Sequence, residues 1–302
     1  MKSSSSDRPV IRLLHLSKSY GKHRGIDDLT LDVHAGEVLG FLGPNGAGKT
    51  TAIRTLMGFL RPSAGMADVA GMNVTLHSVE VRKVTGYLPG DPAFYSGRTG
   101  WDLLHLSLRA RGLSEGILTE RVVKALGAPM DRDVKKCSRG MRQKIALVVA
   151  LAHDPQVLIL DEPTGGLDPL GQRALLEIID ERARAGRTVL LSSHILSEVE
   201  QVCHRVAILS EGRLSTLSTV EALRSQKYKE VTVAFDGPAP DLTGVGEVEV
   251  IWEHEGRMTF RVRGDSRQLL RALAASNVTD VSITEPSLEE VFLDYYRSGE
   301  TS

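Results

Sequence analysis

Nine consecutive residues, Gly43-Pro44-Asn45-Gly46-Ala47-Gly48-Lys49-Thr50-Thr51, have the types and order of a loop that cradles nucleotide phosphates. Glycines let backbone N–H groups close around a phosphate, and a following helix adds the positive end of its dipole. In such a loop Lys49 reaches the β- and γ-phosphates, and the Thr50 hydroxyl holds Mg2+. A second group is Val157-Leu158-Ile159-Leu160-Asp161-Glu162-Pro163-Thr164, in which four apolar residues run into two carboxylates. A buried strand that pushes Asp161 out at its end brings an oxygen to the same Mg2+, through a water. Glu162 then stands where a base polarises the water that attacks a γ-phosphate. Each group has a plainer reading by itself, a glycine-rich linker or a solvated acidic turn. The two together favour phosphoryl chemistry on a nucleotide.

These residues need strands and helices to hold them. Residues 37–42 read as a short buried strand and residues 51–60 as a helix, so the glycine-rich loop has the frame it requires. From residue 10 to about 225, strand-like and helical runs alternate, the pattern of an α/β domain around a mostly parallel sheet. Buried-strand candidates are 38–42, 157–160, 188–191 and 206–209, and the turn Ser210-Glu211-Gly212-Arg213 folds 213–217 back as a hairpin partner. Beyond the polar stretch Arg224-Ser225-Gln226-Lys227 the pattern changes. Strands are expected at 228–235, 248–252, 258–262 and 278–284, with a helix at 266–275. Ser287-Leu288-Glu289-Glu290 has capping-box form, and Leu288, Val291, Phe292 and Tyr295 follow at helical spacing. The expected organisation is a disordered lead (1–9), a nucleotide-binding domain (10–225) and a small α+β domain (226–302).

With these residues the chain resembles the nucleotide-binding subunit of ABC transporters, over roughly residues 10–223. Cys137-Ser138-Arg139-Gly140-Met141-Arg142-Gln143 is similar to that family's signature, usually written L-S-G-G-Q; Ser138 and Gly140 match, while Cys137, Arg139 and Met141 depart. Gly166-Leu167-Asp168-Pro169 resembles the D-loop, and Ser192-Ser193-His194 follows an expected strand where the family has its switch histidine. The resemblance implies a P-loop NTPase fold: a RecA-like core with antiparallel β and helical subdomains. It implies ATP and Mg2+ as ligands, Glu162 and His194 as catalytic groups, and Tyr20 as the ring stacked on adenine. Ser138, Gly140, Gln143 and Asp168 then face the ATP bound to a second copy, so that one chain completes its partner's site. One position departs: after Gly86-Tyr87-Leu88-Pro89 the family has a glutamine that senses Mg2+, and here Gly90 stands, followed by Asp91. Either hydrolysis runs without that ligand or Asp91 replaces it.

Bulk composition narrows the class of partner. The net charge of −1 gives no electrostatic reason to bind nucleic acid or an anionic membrane. No run of about 18 apolar residues is present to cross a bilayer. Cys137 and Cys203 suit free thiols better than a disulfide framework. The chain has one motif set, with Lys49 and Asp161 about 110 residues apart and no coiled-coil or zinc-binding insertion between them. That favours a half-motor that pairs with its own copy and drives a separate integral-membrane permease from the cytoplasmic face of the cell membrane. The Ser138-to-Gln143 variant and the closing 287–292 segment look like ATPases of ABC-2-type exporters, such as the daunorubicin- and bacitracin-resistance group. The alternatives are a nucleotide-gated module with negligible hydrolysis, which Gly90 motivates, and a soluble ABC ATPase without a transport partner.

Overall fold

The computed structural model describes residues 8–94, 97–225 and 228–284. The closing helix expected at 287–295 and most of the lead lie outside them. The described chain forms two compact units that divide between Thr219 and Val220, a few residues before the polar stretch at 224–227.

A six-stranded sheet is the centre of the first unit, in the order Arg213–Thr219, Arg205–Ser210, Val38–Leu42, Thr188–Ser193, Val157–Asp161, Thr85–Leu88. All but the Arg213–Thr219 edge strand run parallel. Val38–Leu42, Val157–Asp161 and Thr188–Ser193 are buried at every position. Such unbroken apolar runs suit strands covered on both faces. These three are adjacent and in register, with Leu42 opposite Ser193 and Asp161 opposite Ser192. Their carboxyl ends therefore release the glycine-rich loop, the two carboxylates and His194 side by side, the edge where ligands bind in open parallel sheets.

A second, antiparallel sheet orders His23–Val33, Ile11–Tyr20, Ala64–Val69 and Met72–Asn73. Its apolar residues, among them Ile11, Leu13, Leu29 and Leu31, share one core with Phe41, Ile159 and Leu190 of the central sheet. Helix Lys49–Leu56 buries Ala52, Ile53 and Leu56 in that same core. It starts two residues before the expected 51–60 span and ends four before it. Gly48 caps it in left-handed conformation, and Gly58 (φ 68) turns the chain out of the helix after Met57. Further helices span Gly100–Arg111, Ile117–Leu126 and Arg139–Leu151. The first of these starts from a reciprocal Thr99–Asp102 capping box.

The second unit contains one antiparallel sheet ordered Glu247–His254, Arg257–Arg263, Lys229–Phe235, Val278–Thr284 and the helix Ser266–Ala274. The expected elements appear with ends moved by one or two residues. Val231, Val233, Phe260 and Val262 alternate along their strands with exposed or half-buried residues and meet Leu269 and Leu273 of the helix. Phe260 is fully buried at the centre of this small core. Phe260→Ala is expected to destabilise the second unit by about 3–5 kcal/mol. The chain has two tryptophans, so Trp252 fluorescence in a Trp101→Phe background isolates this unit. An unchanged denaturation midpoint contradicts the assignment of this core.

Candidate functional site

The glycine-rich loop is shaped by close backbone approaches. Gly43 (φ 151) lies so near Leu209 that a Cβ would stand 2.3 Å from its carbonyl oxygen, and Gly48 (φ 101) would place one 2.4 Å from the Gly25 carbonyl. Side chains are excluded at both positions by contact and by conformation. The tip of the Glu211-Gly212 hairpin turn braces the loop from behind: the Gly212 N–H donates to the Ala47 carbonyl (3.2 Å), and the Asp27 N–H donates to the Gly212 carbonyl (2.8 Å). Ala47 is buried in the core, while Pro44, Asn45, Gly46 and Thr50 are exposed.

Lys49 is almost fully buried. Its ammonium donates to the carbonyls of Gly43 (2.5 Å) and Pro44 (3.0 Å). Burial pulls its pKa below the ordinary lysine value, and the charges of Glu162 and Asp161 oppose that shift. A desolvated cation beside an open backbone loop is suited to anion binding. Tyr20 is half-exposed beside the loop; a Cβ on Gly25 would touch both its Cε2 and the Thr51 methyl at 2.9 Å. The edge of the ring thus lies next to the start of the Lys49–Leu56 helix, with the Lys18 ammonium 5.6 Å over its centre.

Asp161 is buried, and its Oδ1 accepts from the Ser192 hydroxyl at 2.6 Å. Glu162 adopts the left-handed region (φ 48), which costs a residue with a side chain about 1–3 kcal/mol. Its N–H donates to the Ser192 hydroxyl (3.0 Å) and is 3.2 Å from the Ser192 carbonyl. This turn brings Glu162 Oε1 to 3.3 Å from His194 Nδ1. The two groups expected from sequence to act in catalysis therefore touch.

Ser192 was not anticipated as a site residue. The only available signal was its place before Ser193-His194, and a serine within an apolar run shows no partner in one dimension.

Gln143 departs from expectation. It was placed against a second chain's nucleotide, but its side chain is buried and its amide donates to the carbonyls of Pro163 (3.0 Å) and Glu162 (3.4 Å). It lies more than a turn inside the Arg139–Leu151 helix, on the face packed against the Glu162 turn, and acts as a brace for that turn. Ser138, by contrast, is exposed and caps the helix, its Oγ accepting from the Met141 N–H (3.3 Å).

Gly140 packs so closely on Gly166 that a Cβ would lie 2.3 Å from the Gly166 carbonyl oxygen. Asp168 caps helix Pro169–Arg184 through Gly171 (2.7 Å) and pairs with Lys144 (2.8 Å). Those two bonds, Lys144 first, hold its carboxyl below the usual carboxylate range. Both of its oxygens thus have work within their own chain. Ser138, Gly140, Lys144, Gly166 and Asp168 line one concavity of about 360 Å3.

Gly90 faces the Asp161 carboxylate. Its φ is outside the left-handed region, and a Cβ there would stand 3.5 Å from Asp161 Oδ2. Asp91 is exposed. Nearby, Tyr87 has its phenol pushed up to about 12, first by burial and then by the charge of Asp161. Among the described residues there is no group of three or more His, Cys, Asp or Glu that suits a metal by itself. The Thr50 hydroxyl and the Asp161 carboxylate are hard oxygens of the kind that suits Mg2+, which takes few protein ligands and completes its shell with phosphate and water.

Comparison with known proteins bears on the whole chain. A family model described as ABC transporter matches residues 26–165. One described as AAA domain, putative AbiEii toxin, Type IV TA system matches 131–200, and an ATP-binding protein DrrA1-3-like C-terminal domain matches 219–296. The bacitracin transport ATP-binding protein BcrA of Bacillus licheniformis is 32% identical over 96% of this chain and 98% of its own length. A solved ATP-binding subunit of an ABC transporter superposes with a TM-score of 0.67 at 33% identity, covering 72% of this chain and 92% of that one. A dimeric ATP-binding cassette in a post-hydrolysis state, bound to ADP and Pi, shares the fold with a TM-score of 0.64 at 19% identity, over 70% of this chain and 98% of that chain.

The Gly140–Gly166 contact leaves no space for a methyl group. Gly140→Ala is expected to cost about 1–3 kcal/mol through overpacking, measured by urea denaturation of the first unit. A parent-like midpoint contradicts the close approach.

Proposed function

The chain belongs to the ABC transporter ATP-binding family and is an ATP hydrolase of it, and on that footing we propose that it energises an ABC-2-type exporter. Two copies pair head to tail around two molecules of Mg-ATP, and a separate integral-membrane permease, on whose cytoplasmic side they sit, carries the transported compound. The observation that carries the hydrolytic part is the contact between Glu162 and His194 at the strand edge shared with Lys49 and Asp161.

In this reading the backbone of residues 43–48 and the Lys49 ammonium bind the phosphates, and Tyr20 stacks on the base. Thr50 and Asp161 would hold Mg2+, which neutralises phosphate charge when bound. Glu162 accepts a proton from the attacking water, and His194 orients Glu162 and the γ-phosphate. Phosphoryl transfer asks chiefly for positioning and charge stabilisation, which such fixed groups provide. The concavity with Ser138 and Gly140 is open at a helix N-terminus, and this supports its use on the γ-phosphate of a second copy. The exporter class is supported by the likeness to the bacitracin transport protein and the DrrA-like match over 219–296. No helix among the described residues is long and apolar enough to cross a membrane.

Glu162→Gln is expected to slow hydrolysis by about 10²–10⁴-fold with ATP binding intact, and ATP should then trap a dimer on size-exclusion chromatography. Lys49→Ala is expected to lose ATP binding itself, read by titration with a fluorescent ATP. Parent-like turnover in Glu162→Gln contradicts the assignment of the base.

Gly90→Gln should fold normally, because its Cβ makes an ordinary contact with Asp161. It is expected to raise the hydrolysis rate of the isolated chain by adding an amide beside the metal-side carboxylate. An unchanged rate, with and without a permease, removes this position from the metal site.

A further inference from the structure

We propose that Glu198 is a positioning residue for ATP hydrolysis: through the Ser193 hydroxyl it fixes the loop that holds His194 against Glu162. The inference rests on the reading of Glu162 and His194 given above. His194 is more than half exposed and its contact with Glu162 is 3.3 Å, so packing around the ring holds it only in part. The backbone on either side has a share in setting its place.

Ser193, the residue before it, is buried at the end of its strand, and its Oγ accepts from the Ile195 N–H at 2.9 Å. One hydroxyl thereby clamps both neighbours of His194. That hydroxyl has a single hydrogen, and the shorter of its two acceptor contacts is Glu198 Oε2 at 2.9 Å, against 3.2 Å for the Ile195 carbonyl.

Glu198 is itself buried, in the first turn of helix Leu196–Val202, where the helix dipole favours a negative charge. Among the described residues no cation pairs with it. Its charge also reaches the buried Cys203 thiol, which burial and, second, Glu198 hold well above its ordinary pKa. Burying most of a carboxylate costs free energy unless it is hydrogen-bonded. Among the described residues, its hydrogen-bonded side-chain partner is the serine that clamps His194. Ser192 and Ser193 thus divide the task. The first holds the Asp161 carboxylate and the Glu162 backbone across the strand pair, and the second, anchored by Glu198, fixes the histidine that must meet Glu162.

Single-turnover hydrolysis of Mg-ATP and ATP affinity are to be measured for Glu198→Ala, Glu198→Gln and Ser193→Ala, each alone and with His194→Ala. Glu198→Ala and Ser193→Ala are expected to slow hydrolysis by about 10- to 100-fold with ATP affinity within about twofold, the scale of a small misplacement of reacting groups. Glu198→Gln keeps an oxygen that accepts from Ser193 and should recover most of the rate. In the His194→Ala background none of the three should slow hydrolysis further.

Equal losses with and without His194, or parent-like rates in both Glu198→Ala and Ser193→Ala, overturn the proposal. Should Glu198→Ala fail to fold, Ser193→Ala breaks the same link with the carboxylate retained. The His194 ring resonances provide a readout independent of turnover. They should shift in Ser193→Ala and stay near the parent's in Glu198→Gln. If His194→Ala hydrolyses ATP like the parent, the role of His194 fails, while these resonances still decide whether Glu198 positions the ring.

Discussion

One hydroxyl group ties the Asp161 carboxylate to the backbone of Glu162, the two residues on which the site depends. Ser192 donates to Asp161 and accepts from the Glu162 N–H, across two parallel strands that are buried along their whole length. A serine in such a place must find partners, because an unpaired buried hydroxyl costs free energy. Here its partners are the two residues whose geometry matters most. The strand pair fixes Ser192, Ser192 fixes the end of the neighbouring strand, and the chain is forced through the unfavourable φ of Glu162. That strain is tolerated because Ser192 on one side and Gln143 on the other hold the turn from both directions.

Around this turn Lys49 and Asp161 are buried, while Glu162 and His194 are open to solvent. Lys49 is desolvated and surrounded by backbone carbonyls, with Asp161 and Glu162 in electrostatic range. A negatively charged ligand entering the loop meets a cation already fixed in place, so reorganisation at the moment of reaction is small. Lys144 and Asp168 are different. They satisfy each other at the rim of the surface, with Lys144 mostly buried and Asp168 half exposed. The effect of the pair is to orient the start of helix Pro169–Arg184 against the start of helix Arg139–Leu151, where Gly140 and Gly166 meet.

Legible from the residues alone were the glycine-rich loop, the strand ending in Asp161-Glu162, the histidine after its strand and the change of architecture in the C-terminal part. Those features are local: a loop conformation that only glycines adopt, a run of apolar residues, a spacing of two or 3.6. Tertiary structure alone decided which side chains meet. Whether Gln143 faces out or in depends on what packs on its helix, and the answer is the Glu162 turn, nineteen residues away. That Glu211-Gly212 supports the glycine-rich loop, and that Gly140 must be glycine because Gly166 lies on it, follows from backbones brought together by the sheet order. The partners of Ser192 and Ser193 were hidden for the same reason. A hydrogen bond is made to whatever neighbour the fold supplies, and sequence pattern records burial and conformation but not that neighbour.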